Sequence, residues 1–249
     1  MKSYLISLGQ LVFSLLMYSI ATVFFGLSLV PGVALVFKAL STGQDVSIFL
    51  RNLYIGLAIA AGYFLFGFSL IILSGFVRTA LRLRLKEGNY PIFSWNGLKW
   101  AFISSLYLLI NFTFIDFILL TPFANILLRL LGAKLGKNVQ INSKYVFDAT
   151  LLEIGDNTVI GGGCIIIGHV VERGILKLKK VKIGKNVTIG SHATIMPGCE
   201  IGDNAIIGAS AVLLKNTKVE PRAVYFGVPA EPIRPHIHKE ENNHAQGQP

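Results

Sequence analysis

Two of the five histidines, His169 and His192, lie in an aliphatic, glycine-rich region where an imidazole could do chemistry. Imidazole titrates near neutral pH and is therefore suited to take a proton from an attacking hydroxyl or amine. His169 is the better candidate because it comes just before a break in the surrounding sequence pattern. Glu172 could orient His169 by accepting the other ring N–H. A surface ion pair between Glu172 and a lysine fits equally well, and each histidine could also be a solvated corner residue.

The region around these histidines repeats every six residues. Seven consecutive units run from Ile183 to Val224, and each begins with an aliphatic residue. The fifth place is small or slim in every unit, being Val187, Ala193, Cys199, Ala205, Ala211, Thr217 and Ala223 in turn. Neither a helix nor ordinary strand alternation has this period, whereas a chain that turns a corner every six residues does. Three units would then form one coil of a triangular prism, with coils stacked about 4.8 Å apart.

Two shorter runs precede the main one, over Leu135–Val146 and Ile154–Val171. Four units begin with the pattern aliphatic-Gly-charged-Asn, and we expect Gly and Asn to supply the positive φ of tight corners. The eleven residues Glu172–Lys182 break the phase and are predicted to leave the prism as a loop. Both histidines fall at the fourth place of their units and should point outward at a corner. A β-sandwich with coincidental spacing is the alternative to the prism.

The first 97 residues are predicted to contain two membrane spans, at about 5–37 and 53–77. Both uncharged runs exceed the roughly 20 residues that cross a bilayer, and the first is too long for the core of a cleavable signal peptide. A buried helical core is the alternative. Lys and Arg are concentrated after the second run, so the positive-inside rule places that connection and the N-terminus in the cytoplasm. We therefore expect an integral protein of a prokaryotic plasma membrane with its repeats in the cytoplasm.

Residues 98–131 can be interpreted in two ways. Leu98–Leu120 is long enough for a third span, which would place the repeats outside the cell. It contains Asn111 and Asp116, and Pro122 interrupts it before a second short run. Polar and ionisable groups are costly in the bilayer unless protein or water shelters them. We therefore favour a bent, partly embedded pair of helices that returns to the cytoplasmic side and caps the prism.

Charge and composition argue against nucleic-acid binding and nucleotidyl transfer. The formal net charge is +10, but more than half of the excess lies in the apolar first 131 residues, and no nucleic-acid-binding motif accompanies it. Cys164 and Cys199 occupy small inward positions, which predicts buried structural thiols. The first half also lacks the α/β pattern of a nucleotidyltransferase. Residues 236–249 are polar and aperiodic, which predicts a disordered tail.

The repeats resemble the hexapeptide-repeat acyltransferase superfamily over about residues 132–235. The stretch Phe226-Gly227-Val228-Pro229-Ala230, followed by Ile233-Arg234, is similar to the segment that closes many of these proteins. The resemblance implies an all-β left-handed parallel β-helix for the repeats, which here would follow the N-terminal membrane α-helices predicted from the apolar runs. It also implies a homotrimer, an acyl-coenzyme A or acyl-carrier thioester in the groove between neighbouring prisms, and a histidine there as general base.

A second resemblance is to the C-terminal part of ε-poly-L-lysine synthetase and its non-ribosomal-peptide-synthetase-like relatives. It rests on Leu130–Gly136, Ile154-Gly155, His169–Arg173 and Leu178–Gly184, and the Glu–Arg spacing here is one residue shorter than in that family. The membrane helices fit the same family. Because the adenylation and carrier domains of that family are not in this sequence, a carrier protein or a synthetase would supply the activated group.

Together these observations predict a membrane-bound acyl- or aminoacyltransferase with His169 as base and Glu172 beside it. No bound cofactor or metal is expected, and the thioester is a co-substrate. Residues expected to bind the substrate or the acyl donor are His192, Arg173, Lys180, Lys182, Gly208, Ala209 and Arg234. A non-catalytic membrane scaffold is the main alternative. A γ-class carbonic anhydrase is a minor one, because its zinc site needs three histidines and the prism has only two.

Overall fold

The computed structural model describes residues 2–42 and 46–233. A helical unit occupies the first part of the chain, and a three-sided stack of short parallel strands forms the second part. Arg234, one of the predicted donor-binding residues, and the predicted tail 236–249 lie outside the described residues.

The two predicted apolar segments form long helices, α1 (Lys2–Thr42) and α2 (Ile48–Ala80), which pack as an antiparallel pair. Gly32 and Gly62 allow the close approach, since a Cβ on Gly32 would lie 2.8 Å from the carbonyl oxygen of Gly62. By length and composition, Leu8–Thr42 and Ile48–Ala80 are each apolar enough to cross a membrane. Both helices extend beyond the predicted spans.

The segment after them folds as a bent pair of helices, α3 (Trp95–Thr113) and α4 (Pro122–Leu130), joined through a 3₁₀ turn at Ile115–Phe117. The Ser94 hydroxyl accepts a hydrogen bond from the Gly97 N–H at the start of α3. At the start of α4, the Thr121 hydroxyl likewise accepts one from the Phe123 N–H. Pro122 is tolerated because it lies in the first turn of α4, where a backbone N–H has no helical partner.

The repeats form three parallel sheets, one for each side of a prism. The first face contains β2 (Lys134–Leu135), β5 (Leu152–Ile154), β10 (Val181–Ile183), β13 (Glu200–Ile201) and β16 (Lys218–Val219). The second face contains β3 (Gln140–Ile141), β6 (Val159–Ile160), β11 (Thr188–Ile189), β14 (Ile206–Ile207), β17 (Val224–Phe226) and the antiparallel β18 (Glu231–Pro232). The third face contains β4 (Tyr145–Val146), β7 (Ile165–Ile166), β12 (Thr194–Ile195) and β15 (Val212–Leu213).

Asparagine makes the corner between the first and second faces in four successive coils. The residues Asn138, Asn157, Asn186 and Asn204 all have φ between 53° and 61°. Their side chains form a ladder of hydrogen bonds of 3.2–3.3 Å. The preceding glycines have a different role from the expected positive φ. A Cβ on Gly155 would lie 2.6 Å from the carbonyl carbon of Gly184 in the next coil, so these positions are small because the coils touch there.

The interior of the prism is largely aliphatic. The small residues at the fifth place of each unit are buried from Val187 to Ala211, and both cysteines are free and buried as predicted. Burial also raises the pKa of the Cys164 and Cys199 thiols. These thiols therefore pack as small apolar groups.

Helices α3 and α4 cover the open end of the prism, and the two parts share one core. Ile110 and Leu127 of the helices and Ile141 of the first coil are almost fully buried. The Tyr107 hydroxyl donates to the Lys144 carbonyl oxygen at 2.8 Å, and the Asn125 amide donates to the Val139 carbonyl oxygen at 2.8 Å. The cap therefore satisfies polar groups of the first coil as well as burying its apolar side chains.

The phase break is a β-hairpin that leaves the corner between the third and first faces. Its strands are β8 (His169–Glu172) and β9 (Ile175–Leu178), and β1 (Gly88–Pro91) pairs with the outer edge of β9. The break thus begins earlier than the expected Glu172, because His169–Val171 belong to the hairpin. The sheet β8–β9–β1 ties the connection after α2 to the side of the prism.

Candidate functional site

His169 is the first residue of β8, at the point where the chain leaves the prism corner. About a quarter of its side-chain surface is exposed. Its Nδ1 lies 2.6 Å from Oδ2 of Asp148, a residue in the preceding coil. An imidazole that donates its Nδ1–H to this carboxylate oxygen keeps its Nε2 lone pair available to take a proton.

Asp148 is buried and is held by three donors. Its Oδ2 accepts the Gly168 backbone N–H at 2.9 Å as well as the His169 ring, and its Oδ1 accepts the Trp100 indole N–H at 2.9 Å. The side chain is only 1% exposed. A buried carboxylate with several hydrogen-bond donors is fixed in position, so it orients the imidazole rather than moving with it.

Local backbone geometry presents Asp148 at this corner. The residue has φ 57° and ψ 47°, a left-handed conformation that Asp adopts more readily than most residues, and the 3₁₀ turn Ala149–Leu151 follows it. The chain uses more residues to pass from Val146 on the third face to Ile154 on the first than it uses to pass the same corner in a later coil, from Ile195 to Ile201. The extra residues supply the turn that carries the carboxylate.

Trp100 of α3 completes the arrangement. Its ring centroid lies 4.7 Å from that of His169, at an interplanar angle of 56°. Trp100 also packs against a second apolar cluster in which Ile103, Leu176 and Leu178 are buried. Since Leu178 is the cross-strand partner of His169, the hairpin turns its apolar side and the imidazole towards α3.

Glu172 does not have the expected role beside His169. Its carboxylate accepts a hydrogen bond from Lys177 Nζ at 2.7 Å and another from Lys215 Nζ. These two hydrogen bonds, first that of Lys177, lower the pKa of Glu172 to about 2. The surface ion pair with a lysine is thus the interpretation that the geometry supports, and the carboxylate that contacts His169 is Asp148.

The other residues expected on the hairpin side are dispersed. Arg173 is exposed in the two-residue turn of the hairpin, where it and Gly174 both have positive φ. Lys180 lies 3.4 Å from a Glu153 oxygen, and Lys182 donates to Glu200 at 2.8 Å. Lys182 therefore belongs to a row of alternating charges along the first face, formed by Lys134, Glu153, Lys182, Glu200 and Lys218.

His192, Gly208 and Ala209 lie at another corner, between the second and third faces. His192 is exposed with φ 59°, and its ring lies over Gly163 of the previous coil. The Gly208 N–H already donates to the Tyr225 carbonyl oxygen at 2.8 Å, which removes it as an oxyanion donor. One face of the prism separates this corner from His169, so a single chain does not bring the two sets together.

An apolar groove of about 540 Å³ opens on the helical side of Trp100. It runs between the first half of α1 and the start of α3, and its walls include Phe13, Phe93, Leu98 and Trp100. Trp100 therefore contacts the groove, Asp148 and His169 at once.

Sequence reasoning missed both Asp148 and Trp100. Asp148 lies between two runs of hexapeptides whose phases differ, and this difference was the available signal for an inserted functional turn. Trp100 carries no such signal, because an aromatic residue in an apolar helix is usually only a packing residue. Their meeting depends on contacts between α3 and the first coil, which are far apart in sequence.

Residues 180–215 match the family model described as bacterial transferase hexapeptide (six repeats). This match confirms the predicted resemblance to hexapeptide-repeat transferases over those residues. The chain is 27% identical, over 171 residues, to the Delta-poly-L-ornithine synthetase of Acinetobacter baumannii (strain AB307-0294). That alignment covers 66% of this chain but only 12% of the synthetase, so the chain corresponds to a small part of that relative.

Solved structures of hexapeptide proteins also align with the chain. A maltose O-acetyltransferase from Clostridium difficile 630 is 26% identical, with a TM-score of 0.43, over 60% of this chain and 93% of that one. A hexapeptide-repeat containing acetyltransferase from Vibrio cholerae is 22% identical, with a TM-score of 0.38, over 42% of this chain and 62% of that one.

The ion pairs of Glu172 predict a pH-dependent stability. Because its folded pKa of about 2 is below the ordinary value of 4.5, its contribution is full above about pH 4.5 and is lost as the pH falls towards 2. Thermal unfolding of the wild type and Glu172→Gln should therefore differ at pH 6 and converge near pH 2. A difference that stays constant across this range would contradict the assigned ion pairs.

Proposed function

We propose that the protein is a membrane-bound acyltransferase that moves an acyl or aminoacyl group from a thioester to a hydroxyl or an amine. The contact between His169 and Asp148 carries this proposal, because it creates an oriented imidazole at a partly open prism corner. The hexapeptide family match and the synthetase relative support the same class of chemistry. In line with the resemblance, we infer a left-handed coil.

His169 would act as the general base. As the acceptor oxygen or nitrogen attacks the thioester carbonyl carbon, its proton passes to Nε2, and a tetrahedral intermediate forms. Collapse of this intermediate breaks the C–S bond, and the departing thiolate takes the proton from the imidazolium. The product is an ester or amide plus a free thiol, so no further reactant is needed.

Asp148 and Trp100 would act as positioning residues. The carboxylate fixes the imidazole tautomer and stabilises the positive charge that develops on the ring. The Trp100 N–H fixes the carboxylate in turn, and its ring limits the orientations open to His169. The position of the His169 imidazole then depends on the packing of α3 against the first coil and not on the hairpin alone.

We further propose a homotrimer. His169 lies at one corner of the prism, whereas His192 and Ala209 lie at another. A neighbouring prism could place its second corner beside His169, which would form the groove that receives the donor. The thioester would come from acyl-coenzyme A or from a carrier protein, and either one would act as a co-substrate.

The kinetic test compares two variants. His169→Ala should lower kcat by about a hundredfold or more, because it removes the base. Asp148→Asn should lower kcat by at least about tenfold with little change in KM, because it removes the charged acceptor of Nδ1–H. The measurement is thiol release from a panel of acyl and aminoacyl thioesters, with mass spectrometry to identify the acceptor that gains mass.

Light scattering of the same samples provides the control. Both variants should keep the oligomeric state of the wild type, which we expect to be a trimer. Transfer that survives in His169→Ala would exclude His169 as base, and the absence of transfer in the wild type with every thioester would favour a membrane scaffold. A monomeric, fully active wild type would contradict the shared groove.

The groove beside Trp100 suits an acceptor with an apolar portion. Its walls are apolar and it ends at the side chain that contacts both Asp148 and His169. A lipid-linked acceptor should therefore be used at least about tenfold more efficiently, in kcat/KM, than its water-soluble counterpart. Equal kcat/KM values for the two acceptors in detergent would count against this placement.

Membrane insertion with a cytoplasmic prism can be tested by cysteine labelling. Thr188→Cys places a thiol on an exposed strand position, while the two native thiols are buried and serve as an unreactive background. In intact cells a membrane-impermeant maleimide should leave this cysteine unlabelled, and in inside-out vesicles it should label it. Labelling in intact cells would reverse the topology, and release of the chain from membranes at alkaline pH would argue against integral insertion.

A further inference from the structure

A small polar pocket of about 220 Å³ lies on the side of the hairpin opposite α3. Its floor and walls come from three parts of the chain: the sheet β8–β9–β1, the residues after β9, and two prism corners. The residues around it are Asn89, Val170, Lys177, Lys179, Lys215 and Asn216, with Pro197 at the corner. The pocket is separate from the site of His169, whose row of the sheet faces α3.

The sheet register explains why these side chains converge. Asn89, Lys177 and Val170 lie in one row across β1, β9 and β8, so their side chains share a face. The next row holds Leu178 and His169 and therefore faces the opposite way. The hairpin thus has an apolar side against α3 and a basic side against the later coils.

Charge in this pocket is unbalanced. Lys177 and Lys215 share the single carboxylate of Glu172, and Lys179 Nζ contacts only a neutral oxygen among the described residues, that of Asn216 at 2.6 Å. Three ammonium groups against one carboxylate leave an excess of two positive charges. Like charges held together are unfavourable unless an anion joins them.

The geometry points to a binding site for a phosphate group, formed by Lys177, Lys179 and Lys215. A phosphate monoester carries about −1.5 to −2 charges at pH 7 and has several strong acceptor oxygens, which matches the excess charge and the donors of the pocket. Asn89 adds a further side-chain amide at the wall. This binding does not depend on the proposed acyl transfer.

Glu172 has a specific part in this site, because it acts as an internal counter-ion. Its carboxylate holds Lys177 and Lys215 together while no ligand is bound, and an incoming phosphate must compete with it for both. Removal of the Glu172 charge should therefore strengthen phosphate binding, whereas removal of a lysine should weaken it. A purely structural ion cluster does not predict these opposite effects.

The phosphate could belong to a soluble nucleotide-type ligand or to a lipid headgroup. Isothermal titration of the full chain in detergent with adenosine 3′,5′-bisphosphate tests the first source. Titration with dihexanoyl phosphatidic acid tests the second. Tighter binding of one probe identifies the source, and both should bind more tightly than phosphate-free adenosine or dihexanoyl glycerol.

Three variants and one matched control complete the experiment. Lys177→Met and Lys215→Met keep the aliphatic stem and should weaken binding of the preferred probe by about tenfold each. Glu172→Gln should tighten it by about threefold or more. Lys137→Met changes an exposed lysine at a corner of the first coil and should leave binding unchanged.

The proposal fails if neither phosphate probe binds, or if the pocket variants bind like Lys137→Met. Weaker binding in Glu172→Gln would also overturn it, because that result indicates loss of structure rather than loss of a competitor. Since the titrations contain no thioester, they separate this site from the proposed activity. Phosphate binding without acyl transfer would support the phosphate site and contradict the proposed acyltransferase. Acyl transfer without phosphate binding would support the acyltransferase and contradict the phosphate site.

Discussion

Burial of the open end of the prism is the constraint on which the rest of the structure depends. A stack of coils exposes apolar side chains and unpaired backbone groups at its end, and both must be covered. Here α3 and α4 supply the cover, with Ile110 and Leu127 packed in the same core as Ile141. The carbonyl oxygens of Val139 and Lys144 find side-chain donors on the cap. The helical unit is therefore part of the prism core rather than a tether attached to it.

The same interface determines the geometry around the candidate base. Packing of α3 on the first coil brings the Trp100 indole N–H to Asp148, and Asp148 then reaches His169 in the next coil. Each of these contacts involves a buried or partly buried group, so a displacement of α3 would also displace the imidazole. Helix α3 thus contacts the candidate base directly through the Trp100 ring.

The two faces of the hairpin lie in different chemical environments. His169 and Leu178 face the apolar cluster beside α3, whereas Val170 and Lys177 face the later coils and a cluster of lysines. One strand can serve both because successive side chains point to opposite faces. The pairing of β1 with β9 adds a third strand and links this sheet to the basic connection after α2.

The sequence by itself determined the features that depend on local periodicity. Six-residue units with a small fifth residue predicted the prism, the buried cysteines and the corners at Asn138, Asn157, Asn186 and Asn204, because each coil repeats the same short-range geometry. The phase break after the second run correctly marked a departure from the prism. The break in the helices before Pro122 was also visible in the sequence.

Only the tertiary structure decided which carboxylate serves His169. Glu172 is closer in sequence, but strand alternation turns it to the opposite face, where Lys177 and Lys215 hold it. Asp148 and Trp100 reach the imidazole from another coil and from a helix, through contacts that no local pattern encodes. Local spacing fixes where the chain turns, whereas the partners of a side chain depend on which distant surfaces are buried against each other.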